Sequence, residues 1–155
     1  MIQNSTEYKS YIERIQEIVY KGQEVKHLEH SFYQVGSEHV AISITAPESN
    51  KYFFGINSEY LDKADYSILV CGNDLCAFKI PSNVVKQWNL KVDQNTGRYL
   101  TEIELDKNED WLLSIKKGED GSAVKINEYF INLKRDDEII SEVMVTRKIL
   151  GLDKD

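Results

Sequence analysis

The residues best suited to chemistry crowd the stretch from Lys86 to Arg98. Lys86, Gln87, Trp88, Lys91, Gln94, Asn95 and Arg98 all fall within it. Asn and Gln can pair with the edge of adenine, Arg and Lys can hold phosphate or guanine, and Trp can stack on a base. Three cations stand there against the single acid Asp93, in a chain of net charge −7. The same residues also suit a polar hairpin loop with a half-buried Trp, so the segment is a candidate binding edge and not a signature.

Other chemistries have weaker support. No Gly-x-Ser-x-Gly elbow occurs. Cys71 and Cys76 flank the turn Gly72-Asn73-Asp74-Leu75, a placement that lets two thiols face each other across a hairpin as buried packing groups. His27 and His30 share a spacing that would suit a helical face, but no nearby Cys or acid supplies a third ligand, so His27, His30 and His39 read as solvent-exposed. Lys117-Gly118-Glu119-Asp120-Gly121 puts acids where a phosphate would sit and reads as a turn. A metal nuclease needs two carboxylates and an assisting lysine. Glu24-Val25-Lys26 has part of that pattern, but the first aspartate, Asp62, follows it. No catalytic group, metal or cofactor is expected from these patterns.

The elements that must position such residues are legible in outline. Tyr8, Tyr11, Ile12, Ile15, Ile18 and Val19 recur at helical spacing, with Asn4 and Glu7 at capping-box spacing before them and Gly22 as a stop. That predicts an amphipathic helix over 1–22, lying as a lid on a sheet. From Ser31 onward, short β-branched and aromatic bursts alternate with turn residues. Val40–Ile44, Tyr52–Ile56, Tyr66–Cys71 and Cys76–Ile80 are such bursts, and the last two read as a hairpin closed by Pro81. Their nearly continuous apolar runs predict burial on both faces. Ser82 is placed to cap a short helix from Asn83 to Trp88. Tyr99–Leu105 alternates as a half-exposed strand, Trp111–Ile115 follows as another, and Val124–Ile126 and Tyr129–Ile131 are apolar again. A sparse apolar side over 136–150 predicts a C-terminal helix. The expectation is a single domain over 1–155, α+β and mostly antiparallel β, with its β-rich body over 31–133.

Length, composition and cysteine usage set the class. A chain of 155 residues with 41% hydrophobic and 29% charged residues suits one folded domain with a core. No run approaches the roughly 18 apolar residues of a membrane helix, and the first residues lack the basic and apolar regions of a signal peptide. With two cysteines and no disulfide framework, a reducing cytoplasmic location is the expectation. The acidic balance argues against a surface that grips nucleic acid all round, though not against a local cationic face.

The stretches Tyr52–Ile56, Asp65–Gly72 and Ala77–Ser82, with Gly97–Ile103 and Tyr129–Ile131, resemble accessory domains of bacterial restriction systems. The similarity runs over about residues 50–133. It is to the N-terminal specificity domains of McrB-like GTPase subunits and to B3-like DNA-binding domains. The resemblance implies a strand-rich pseudobarrel that presents two loop-bearing arms to double-stranded DNA. The region from Trp88 to Arg98 would suit one arm, and the other would lie near Tyr33 to His39 or Asn50-Lys51-Tyr52. Local chemistry alone picks the contact residues: Lys86, Gln87, Trp88, Lys91, Gln94, Asn95 and Arg98 for the first arm, and Tyr33, Gln34 and Lys51 for the second. A GTPase or nuclease module, in the same or a neighbouring chain, would be its partner in anti-phage defence. Two alternatives stay open: an acidic protein-interaction face built from Glu102, Glu104, Asp106, Glu109 and Asp110, and a diverged nuclease using Glu24 and Lys26.

Overall fold

Tyr8, Tyr11, Ile12, Ile15 and Val19 form an apolar stripe that lies on a sheet of six strands, the lid arrangement expected of the front helix. A computed structural model describes residues 5–115 and 122–139. Within them, helix α1 spans Ser5–Arg14 and passes into a π-helical stretch, Ile15–Val19. The helix stops where Gly22 adopts φ +91°, and the Gly22 N–H donates to the Gln16 carbonyl at 2.8 Å. The expected cap Asn4 lies outside the described residues.

The strands are β1 (Lys26–Glu29), β2 (Phe32–Val35), β3 (Glu38–Thr45), β4 (Tyr52–Asn57), β5 (Tyr66–Cys71), β6 (Cys76–Pro81), β7 (Lys91–Val92), β8 (Arg98–Leu105), β9 (Trp111–Ser114), β10 (Ala123–Lys125) and β11 (Phe130–Asn132). Two short helices interrupt them, α2 (Ser58–Lys63) and α3 (Ser82–Gln87). The first sheet runs β1-β2-β3-β5-β6-β11, the second β10-β9-β8-β4, with β7 also paired to β8. Every pairing is antiparallel except β3 with β5. The fold is therefore α+β, strand-rich and dominated by antiparallel pairing. Neither sheet closes on itself among the described residues, so the pseudobarrel is not seen as a closed barrel.

Alternation of side chains along β3, β5 and β6 explains the layering. Val40, Ile42, Ile44, Ile68, Val70 and Ala77 point to the helix. Leu69, Cys71, Cys76, Phe78 and Ile80 point to the second sheet and meet Tyr52, Phe54, Ile56, Ile103 and Leu113 there. The centre of the first sheet, β3, β5 and β6, is thus covered on both faces, as the continuous apolar runs of β5 and β6 predict. Cys71 and Cys76 are register partners across the hairpin, buried and free. Their mutual hydrogen bond and their burial push the Cys71 thiol pKa up, which suits packing and not nucleophilic attack.

Some expectations shift. Strand structure begins at Lys26, earlier than residue 31. Ser82 does not cap α3. Pro81 holds that position without a side-chain bond, and the Ser82 hydroxyl is buried with no partner among the described residues. Residues 136–139 are helical; the rest of the helix expected over 136–150 lies outside the described residues, as does the turn at 117–121. The described end of the chain, at Leu133, Arg135 and Glu138, is held against the front helix. Arg14 grips the Glu138 carboxylate through both terminal nitrogens, at 2.7 and 2.8 Å, and also donates to the Leu133 carbonyl at 3.0 Å. Arg135 pairs with Glu17 at 2.8 Å.

Candidate functional site

β8 carries the candidate site because it links two features, a hairpin at one end of the second sheet and a cleft beside it. In the hairpin, β7 returns into β8 through Asp93–Gly97. Asp93 organises the turn. Its carboxylate accepts from the Asn95 N–H at 3.1 Å and the Thr96 hydroxyl at 2.8 Å, and its backbone carbonyl accepts from the Gly97 N–H at 2.8 Å. Gly97 supplies the φ of +71° that closes it. Those bonds, the Thr96 hydroxyl first, hold the Asp93 carboxyl below its ordinary pKa. The one acid of the segment is thereby engaged within the turn, while Lys91, Gln94 and Asn95 are exposed.

The other residues of the expected first arm are placed differently. Lys86 pairs with Asp62 at 3.4 Å, Gln87 is exposed on α3, and Trp88 packs half-buried against the core. Of the second arm, Lys51 pairs with Glu102 at 3.4 Å, and Gln34 is half-buried with its amide donating to the Gly36 carbonyl. Tyr33 is buried, and its hydroxyl shares a hydrogen bond with Tyr8. Burial, then that bond, push the Tyr33 pKa up.

Two of the expected residues share a cleft nonetheless. Tyr33 and Arg98 both line a cleft of about 1100 Å³. One wall is α1, with Tyr8, Lys9 and Ile12. Another is the β1–β2 turn, with His27, Glu29 and His30. The third is the edge of the second sheet, with Gly55, Asn57 and Arg98, closed by Tyr60 of α2. Val25, Ile42 and Ile44 make its apolar floor. The Tyr8 hydroxyl donates to the Ile42 carbonyl at 3.1 Å, where β3 runs on past its register with β2.

Asn57 and Arg98 stand directly opposite each other in the β4–β8 register. Asn57 also caps α2: its side-chain oxygen accepts from the Glu59 N–H at 2.9 Å and the Tyr60 N–H at 3.3 Å. That engagement fixes the amide's orientation and leaves its NH₂ as the free end. Among the described residues no carboxylate pairs with Arg98 or with Lys9. His27 leans on the Tyr33 ring at 5.1 Å and His30 on the Tyr60 ring at 6.4 Å. His27 Nε2 also lies 2.8 Å from the His30 carbonyl. Both histidines are exposed, as expected, whereas His39 is half-buried and stacked on Phe32 at 5.5 Å.

The alternative sites are less assembled. Asp106 accepts from the Asn108 and Asp110 N–H groups, Asp110 pairs with Lys125 at 3.6 Å and Glu102 with Lys51, so much of the acidic face is engaged locally. Glu24 and Lys26 are exposed, and no group of three or more His, Cys, Asp or Glu side chains converges around a metal-sized point among the described residues. No helix is long and apolar enough to cross a membrane among the described residues. No family model matches the chain, and no curated protein does either.

Proposed function

We propose that this chain is a non-catalytic recognition domain for double-stranded DNA that binds through the β7–β8 hairpin and Arg98. The observation that carries the reading is the run of side-chain donors along that element that have no partner among the described residues. Lys91, Gln94, Asn95 and Arg98 cluster at one end of the second sheet, and the only acid among them, Asp93, is taken up by the turn. In an acidic chain, a cationic and amide-rich edge of this kind is where phosphate contact and base reading are cheapest to combine. Because few cations contribute, the salt dependence of binding is shallow: a few phosphates neutralised, not ten. In the resemblance to McrB-like and B3-like domains, the hairpin is one arm of a pseudobarrel. A cytoplasmic GTPase or nuclease module acts on what the arm selects.

The test is fluorescence anisotropy with a library of short duplexes, methylated and unmethylated, at low salt. Binding that weakens in Arg98→Ala and in Lys91→Ala supports the reading. No binding to any duplex overturns it.

A further inference from the structure

We propose that the cleft between α1 and the edge of the second sheet binds a nucleoside phosphate, either free or at the end of a strand. The site goes beyond the duplex reading: it shares Arg98 with it, but needs neither Lys91 nor the Gln94–Asn95 turn.

Four placements converge on this ligand. Asn57 and Arg98 are cross-strand partners on one face of β4 and β8, and both line the cleft. Directly opposed side chains lie close enough to grip one anion. The Asn57 oxygen is held by the first turn of α2, so its NH₂ is the end left to donate. The Arg98 stem lies against Gly55, whose missing Cβ would meet Arg98 Cδ at 3.3 Å, so the guanidinium is supported from behind. Lys9 adds a third donor from the α1 wall. A planar guanidinium, an amide NH₂ and an ammonium are donors without acceptors at their free ends. They match the oxygens of a phosphate.

The wall formed by the β1–β2 turn suits a planar group. His27 and His30 each stand exposed against a buried tyrosine ring, and their mutual contact through the His30 carbonyl ties the two together. Such backed rings are stacking platforms that accept a base face without reading its sequence. Glu29, on the same wall, is the one acid of the cleft among the described residues. It can accept from an exocyclic amine, and it repels a second anion. Val25, Ile42 and Ile44, all buried, give the cleft an apolar part of its lining. A cleft of about 1100 Å³ accommodates a ligand of this size.

Titration calorimetry on the full chain tests the site. The probes are the common nucleoside monophosphates, the matching nucleosides, inorganic phosphate, and short single strands with a terminal phosphate or a terminal hydroxyl. Nucleoside monophosphates are expected to bind at least about tenfold more tightly than nucleosides or inorganic phosphate alone. Asn57→Asp keeps an oxygen that can cap α2, removes the donor and sets a carboxylate, which repels phosphate, opposite Arg98. It is expected to lose about 10- to 100-fold in affinity with its melting temperature unchanged. Arg98→Gln serves as a second variant should Asn57→Asp fail to fold, with a loss of the same size. Tight binding of the free nucleotide but not of the phosphorylated strand names a soluble ligand; tight binding of both names a strand end. Equal affinity for nucleoside and nucleotide, wild-type affinity in Asn57→Asp, or no heat with any probe overturns the proposal. Duplex binding that survives Asn57→Asp but fails in Lys91→Ala leaves the hairpin reading standing on its own.

Discussion

Arg98 lies across the bare face of Gly55. A Cβ at position 55 would sit 3.3 Å from Arg98 Cδ and 3.8 Å from its Cβ. The arginine faces the cleft partly because a glycine in mid-strand lets its stem lie flat, a use of glycine where another group must approach the backbone closely. Gly55→Ala therefore asks a flexible stem to give way and leaves the backbone alone. The expected result is a melting temperature within a few degrees of wild type together with a several-fold loss of ligand affinity, both about the scale of a sub-kcal/mol adjustment. Unchanged affinity would separate Gly55 from the positioning of Arg98.

The cations of the candidate arms differ in how free they are, and binding should sort them. Lys51 and Lys86 already have carboxylate partners. Arg98→Ala is expected to weaken duplex binding and to reduce the slope of log affinity against log salt by about one. Lys51→Ala and Lys86→Ala should leave that slope within error. Anisotropy titrations over a range of salt concentrations measure all three, and equal effects from all three would remove Arg98 from its special place.

The docking of the C-terminal segment on α1 carries a pH dependence. Arg14, and then the Arg135 N–H, hold the Glu138 carboxyl down at about 2 from an ordinary 4.5. A carboxyl depressed in the folded chain adds stability above its ordinary pKa and loses it as pH falls through the folded value. Thermal melts of wild type and Glu138→Gln should therefore differ most above pH 4.5 and converge as the pH falls toward about 2. Curves that stay parallel over that interval would detach Glu138 from the effect.

Tyr52 ties the second sheet to the β5–β6 turn, where its hydroxyl donates to the Asp74 carboxylate at 2.6 Å. Burial first, then that bond, push the Tyr52 pKa up, so the hydroxyl keeps its proton. Tyr52→Phe retains the ring and removes the bond, with an expected cost of about 1–2 kcal/mol in urea denaturation. Phe78→Ala, at the centre of the layer between the sheets and fully buried, should cost about 3–5 kcal/mol. A Phe78→Ala loss no larger than that of Tyr52→Phe would contradict this assignment of the core.

Much of the scaffold was legible because it obeys local periodicity. The hairpin from Tyr66 to Ile80 and the lid face of α1 follow from runs of apolar residues whose spacing matches their structure. The short α2 was not legible: it turns only from Ser58 to Lys63 and buries Tyr60 and Leu61, too few positions to set a period. β1 is exposed throughout, so no apolar pattern marks it. The cleft was legible only in fragments. Tyr33 and Arg98 were candidates, but their sharing a cleft depends on how the two sheets are stacked, which no local spacing encodes. Asn57 was missed as a site residue. Its signal lay in its position just before a helix and two residues after a glycine in mid-strand.

The parallel pairing of β3 with β5 constrains how the chain reaches its native state. After Thr45 the chain leaves the first sheet, lays down β4 in the second, turns through α2, and returns at Tyr66 to pair beside β3. β4 in turn waits for β8, from Arg98 onward. Neither sheet can be finished before the other has begun, so folding must gather distant segments at once and should be slow for a chain of this size. The same interleaving leaves no sheet that can peel away by itself. Denaturation is then expected as one cooperative event, and the walls of the cleft, drawn from both sheets, persist or vanish together.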